Sequence, residues 1–92
     1  MEDLALKTRN VAVNVRKLRE FRAYTQDYLA AKLKISQNAY SKIELGYSKL
    51  TLERLFQIAS ILEIDPSHLM TSSPTDLLNI ISKGDVAIGI AI

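Results

Sequence analysis

The sequence predicts an all-α domain followed by one short strand. Apolar residues recur every three or four positions through most of the chain, the spacing of amphipathic helices. Thr25, Ser36, Thr51, Asp65 and Ser73 each stand just before such a stripe, where helices take their N-caps. The last seven residues instead alternate large and small side chains with a period of two.

The first helix is predicted over residues 10–23, from Val11, Val15, Leu18 and Phe21 or Arg22, with Leu4 and Thr8 extending the stripe backwards. Its outer face is strongly basic. Tyr24 breaks the run, and Thr25 caps a second helix whose first turn holds Asp27, where a negative charge suits the helix dipole. Leu29, Ala30 and Leu33 are its buried side, with Ala31 behind. Lys34 and Ile35 make a tight connection, and Ser36 caps a third helix over about residues 36–45. Ala39, Tyr40 and Ile43 face inward there, and Gln37, Asn38, Ser41 and Lys42 face outward. Gly46 stands where a helix C-terminus takes a left-handed residue.

Thr51 caps a fourth helix with Leu52, Leu55, Ile58, Ala59 and Leu62 as its buried row. Asp65 and Pro66 are the cap and first position of a short fifth helix that ends near Met70. Ser73 and Pro74 repeat that start for a sixth, with Leu77, Leu78, Ile80 and Ile81 as its apolar side. Val86, Ile88, Ile90 and Ile92 then alternate with Ala87, Gly89 and Ala91, the one strand signal in the chain. This organisation divides into a main domain over residues 1–70 and an extension over residues 71–92.

Ninety-two residues make one small domain, and no run of 18 apolar residues exists to cross a membrane. The start, MEDLALKTRN, carries two acids and no apolar stretch; no signal peptide is expected, and the protein is expected in the cytoplasm. Without cysteine there are no disulfides and no cysteine-ligated metal, and a single histidine, His68, removes most histidine-based metal and catalytic constellations. No phosphate-cradling glycine loop appears among Gly46, Gly84 and Gly89. The expectation is therefore no enzyme, no catalytic residue, no metal and no cofactor.

The net charge of +2 hides a polarised layout. Residues 7–49 hold ten basic and three acidic side chains, while residues 50–92 carry a charge of −3. A basic half of this kind is a candidate polyanion face.

Residues 25–44, TQDYLAAKLKISQNAYSKIE, read as two short helices joined by a tight turn, the helix-turn-helix arrangement. Ala30 is small where the helices cross, and Ile35 fills the gap beneath the turn. The exposed side of the second helix then protrudes and fits a major groove. With VRKLRE at 15–20, TQ at 25–26, SQ at 36–37, YSKIE at 40–44, Gly46 and the Leu52 to Leu62 stripe, residues 11–70 resemble the lambda-repressor/Cro type of helix-turn-helix domain, the XRE family. The resemblance implies a five-helix, lambda-repressor-like fold. The family often carries glycine where this chain has Lys34 and Glu63, and a non-glycine in a left-handed conformation costs about 1 kcal/mol. Tyr40 stands at a position often aliphatic; its ring is expected to be buried, with the hydroxyl reaching an edge.

The resemblance also implies roles. Gln26 matches a phosphate contact, and Gln37, Asn38 and Lys42 match base-reading positions. Ser36 and Ser41 add phosphate contacts, and Tyr47, Ser48 and Lys49 follow against the DNA backbone. Arg19 and Glu44 match an ion pair that fixes the recognition helix to the first helix. The expected function is a sequence-specific transcriptional regulator, a repressor binding double-stranded DNA as a homodimer on a palindromic operator. The dimer is expected through Val86, Ile88, Ile90 and Ile92, because a lone strand must find its hydrogen-bond partner elsewhere. The alternative is a protein-interaction module, an antitoxin or anti-repressor whose partner is another protein.

Overall fold

The structure, a computed structural model, describes residues 4–84, which form six α-helices. They are α1 (Leu4–Phe21), α2 (Gln26–Leu33), α3 (Gln37–Glu44), α4 (Leu52–Leu62), α5 (Pro66–Thr71) and α6 (Pro74–Gly84). The expected strand at residues 86–92 lies outside the described residues.

All five N-terminal caps foreseen in the sequence are made by the side chain itself. Thr25, Ser36 and Thr51 accept hydrogen bonds from the Tyr28, Ala39 and Arg54 N–H groups, and Asp65 accepts from Ser67. At α6 the Ser73 hydroxyl takes the Asp76 N–H at 3.1 Å. Each cap satisfies a first-turn donor that helical bonding leaves open.

The C-terminal closures share one geometry. After α1, α2, α3 and α4 the chain passes through a left-handed residue: Ala23, Lys34, Gly46 and Glu63 in turn. In each case the N–H of that residue bonds back three positions and the next N–H bonds back five, the Schellman arrangement. Only one of the four is glycine. Side chains from other elements take up further carbonyls at these ends. Arg22 donates to Leu62 O and Glu63 O at 2.9 and 3.1 Å, closing α4. Arg54 reaches Leu33 O at 3.3 Å at the end of α2. Positive side chains at helix C-termini also suit the dipole.

Helix α1 is the spine: α3, α4, α5 and α6 all pack on it, while α2 packs on α3 and α4. The core gathers Val15 and Leu18 of α1, Leu29, Ala30 and Leu33 of α2, Tyr40 and Ile43 of α3, and Leu55, Ile58, Ala59 and Leu62 of α4. Ile64, Leu69, Leu77 and Ile81 complete it, so α6 shares the core of the helices before it. Each fully buried leucine here is worth about 1.5–3 kcal/mol.

The buried rows differ from expectation at several positions. Leu52 is 63% exposed and lies on the rim of a groove with Leu50 and Met70, not in the buried row of α4. On α6 Leu77 and Ile81 are buried against α1, the element it packs on most; among the described residues of that helix, Leu78 is exposed and Ile80 half-buried. The Tyr40 hydroxyl reaches no edge. The whole residue is buried, with its oxygen unpaired beside Glu44.

Asn14 is the polar residue that the helical stripe did not single out. It lies on the buried face of α1, between Val11 and Leu18, and donates to Leu69 O at 3.0 Å and Ser72 O at 2.8 Å. Those carbonyls belong to the end of α5, so Asn14 ties that end to the spine while its own Oδ1 stays unpaired.

Candidate nucleic-acid interface

The turn Lys34–Ile35 sets α3 against α2. Ala30 at the crossing is buried, and Ile35 half-buried beneath the turn packs on the core. Tyr40 and Ile43 seat α3 inward. The opposite side of α3 is consequently open: Gln37, Asn38 and Lys42 are exposed and Ser41 half-buried. Ser36 precedes them with its oxygen capping Ala39 N–H at 3.0 Å, which leaves its hydroxyl proton free to donate.

Behind this face lies a polar relay. Arg19 Nε donates to Glu44 Oε2 at 2.6 Å and Arg19 Nη2 to Glu44 Oε1 at 3.0 Å, a two-bond fork. The Arg19 side chain is 12% exposed and that of Glu44 3%. Arg19 Nη1 also holds Tyr24 O at 2.9 Å, at the turn before α2. Gln26 Nε2 donates to Glu44 Oε1 at 3.1 Å, and Gln37 Nε2 reaches Gln26 Oε1 at 3.5 Å. The first residue of α2 and the first of α3 are thus linked, side chain to side chain, to the ion pair.

Burial by itself raises the Glu44 carboxyl, but the hydrogen bonds from Arg19 and Gln26 and the nearby Tyr40 hydroxyl outweigh it and hold the group below the usual carboxylate range. Arg19 is raised in turn by its bonds to Glu44, against the cost of burial, with smaller contributions from neighbouring charges including Glu20. Burial, then the Glu44 carboxylate, push the Tyr40 phenol up, so it stays neutral.

The side chains of Asn38 and Lys42 make no hydrogen bond or ion pair with the described residues, so their functional groups are available to a ligand. Tyr47 is 78% exposed, and its backbone N–H closes α3 on Lys42 O at 2.9 Å. Ser48 is half-buried and Lys49 exposed in the loop after α3. All these residues sit on α3, at its two ends, or at the start of α2. The four strand residues of the expected dimer contact, Val86, Ile88, Ile90 and Ile92, lie outside the described residues.

Two further groups lie close to this face. Arg54 closes α2, which carries Gln26; a basic residue one turn into a helix gives no sign of that target. Arg16 and Glu20 pair at 3.1 Å on α1 and line one cleft with Arg19, Gln26, Ser41 and Glu44. Their i, i+4 spacing was legible, and their nearness to α3 was not. Among the described residues no helix is long and apolar enough to cross a membrane, and no cluster of acidic, histidine or cysteine side chains suits a metal.

A short α2, a tight turn and an exposed-faced α3 braced on α1 define a helix-turn-helix protein. A family model described as helix-turn-helix, of the XRE type, matches residues 15–69. The chain belongs to that family, whose domain is a DNA-binding regulatory one. No curated protein and no solved structure gives a significant match.

Proposed function

We propose that the chain is a sequence-specific repressor that binds a palindromic operator as a twofold homodimer, with α3 as its recognition helix. The observation that carries this reading is the outer face of α3. The Asn38 and Lys42 side chains are exposed and unengaged, and Gln37 beside them is linked through Gln26 to the Arg19–Glu44 pair. A side chain oriented in advance reads a base edge at lower entropic cost than a free one. Gln37 and Asn38 suit adenine, Lys42 suits guanine acceptors, and each bidentate contact is worth about 1–3 kcal/mol of discrimination.

Gln26, Ser36, Ser41, Tyr47 and Lys49 surround that face and serve the phosphates, which set register and not sequence. Two copies related by a twofold axis place their recognition helices about 34 Å apart, one turn of the duplex. Occupying an operator is the action a helix-turn-helix domain performs without any further activity, and it is the basis for repression.

The test is capture of genomic fragments by the protein followed by sequencing. Enrichment of a palindrome with half-sites one helical turn apart is expected. Gln37→Ala or Asn38→Ala should change the enriched bases, whereas Lys49→Ala should weaken all sequences alike and shallow the salt dependence. An unchanged site in both α3 variants would remove α3 as the reading element.

A further inference from the structure

Arg16 and Glu20 have no part in the interface described so far. They stand one turn apart on α1, and Arg16 Nε donates to Glu20 Oε2 at 3.1 Å with both side chains at least half exposed. Around them in one cleft are Gln26 and Ser41, both assigned to phosphate above, and the Arg19–Glu44 pair. The Arg16 guanidinium therefore stands at the edge of the phosphate track, and its partner in the free protein is itself an oxyanion. We propose that Arg16 is a phosphate-binding residue of the DNA interface and that Glu20 is its built-in competitor, holding Arg16 until DNA displaces it. The proposal rests on the DNA-binding reading.

The two Arg–Glu pairs of this cleft have opposite characters. Arg19–Glu44 is nearly buried, doubly hydrogen-bonded and braced by Gln26, so surrendering it would strand a charge. Arg16–Glu20 is exposed and joined by one hydrogen bond. It also runs in the weaker direction for a helix, with the cation N-terminal to the anion. Exposed pairs of this kind contribute little. A phosphate offers the planar guanidinium a two-pronged contact and releases counterions from the duplex as well. The exchange therefore favours DNA, while the released Glu20 carboxylate is left facing phosphate. Glu20 thereby lowers affinity for every sequence, and Arg16 raises it.

Fluorescence anisotropy of the full chain with a mixed-sequence duplex, across a salt series, tests this. Arg16→Gln should weaken binding several-fold at low salt and shallow the salt slope by about 0.9, the loss of one phosphate contact. Glu20→Gln should tighten binding several-fold, and that gain should fall by at least half in the Arg16→Gln background. An unchanged salt slope in Arg16→Gln overturns the phosphate role. An equal gain in both backgrounds makes Glu20 a general repulsive charge and overturns the competitor role. Failure of the wild-type chain to bind any duplex overturns the DNA-binding reading and this proposal together.

Discussion

Gln26 and Glu44 are joined by a 3.1 Å hydrogen bond that ties the first residue of α2 to the last residue of α3. The same carboxylate receives the Arg19 fork from α1. One buried side chain thus fixes three helices against one another, and the angle at which α3 stands out depends on it. The hydrophobic contacts of Tyr40 and Ile43 hold α3 down, but they are non-directional. The carboxylate supplies the orientation.

Glu44→Ala should therefore destabilise the domain far more than Glu63→Ala. The first strands the mostly buried Arg19 guanidinium and frees Gln26, a loss on the order of 3 kcal/mol. In a domain of this size that corresponds to a melting temperature lower by roughly 10 °C or more. Glu63 is exposed and its side chain caps nothing, so its truncation should shift the melt little. Equal, small shifts in thermal melts would deny the pair its structural role.

A pH dependence follows from the same group. Glu44 titrates below its ordinary value when folded, so between that folded value and about 4.5 the unfolded chain binds more protons. The stabilisation is complete above the unfolded value and is lost as pH falls through the folded one. Melting temperatures across acidic pH should drop steeply for the wild type and less steeply for Glu44→Gln. Asp65, lowered first by the Ser67 backbone N–H and then by its hydroxyl, leaves a residual slope in both proteins. Parallel curves would place the acid sensitivity outside Glu44.

Most of this architecture was legible because it rests on local signals. Thr25, Ser36, Thr51 and Asp65 marked helix starts through a short polar side chain next to an apolar stripe, and a cap needs nothing more distant. The outward set of Gln37, Asn38 and Lys42 followed from helical periodicity once Tyr40 and Ile43 were turned inward. What stayed hidden depends on contacts far apart in sequence. Asn14 finds its acceptors 55 and 58 positions away. Leu52 fits a buried stripe by spacing, yet it sits exposed on a groove rim. Ala23 carries no chemical hint of a left-handed backbone, whereas Lys34 and Glu63 were marked by their place in the family pattern.

Those left-handed residues allow a paired experiment. Lys34 (φ 61°) and Glu63 (φ 59°) adopt a conformation that costs a side chain about 1–2 kcal/mol, part of which glycine gives back as unfolded-state entropy. Lys34→Gly and Glu63→Gly should each stabilise by about 0.5–1 kcal/mol, a few degrees in melting temperature. Gly46→Ala should do the reverse. At φ 79° the backbone is strained for alanine, while the added Cβ would meet only Ala12 Cβ at an ordinary 3.9 Å. The penalty there is conformational and not steric. Destabilisation by both glycine variants would mean that their side chains contribute more than the strain costs.

The proposed dimer places its contact in the chain after α6. Residues 85–92 lie outside the described residues, and their alternation of Val86, Ile88, Ile90 and Ile92 with Ala87, Gly89 and Ala91 is the one strand signal in the sequence. The described residues hold helices and turns and no strand for it to pair with. A lone strand leaves hydrogen-bonding groups unsatisfied along both edges, and a second copy is the simplest source of a partner. Leu78 is exposed and Ile80 half-buried on α6, the helix that leads into this segment, so apolar surface stands next to it in the chain. The proposed dimer pairs residues 86–92 antiparallel across a twofold axis, which also suits a palindromic operator. Deleting residues 85–92 tests it. Sedimentation should show a dimer before the deletion and a monomer after, with the helical circular-dichroism signal retained. Binding to a full palindrome should weaken in the deleted protein, while binding to a single half-site should not. If the oligomer is the same before and after, the strand is not the contact, and any dimer must run through the helices.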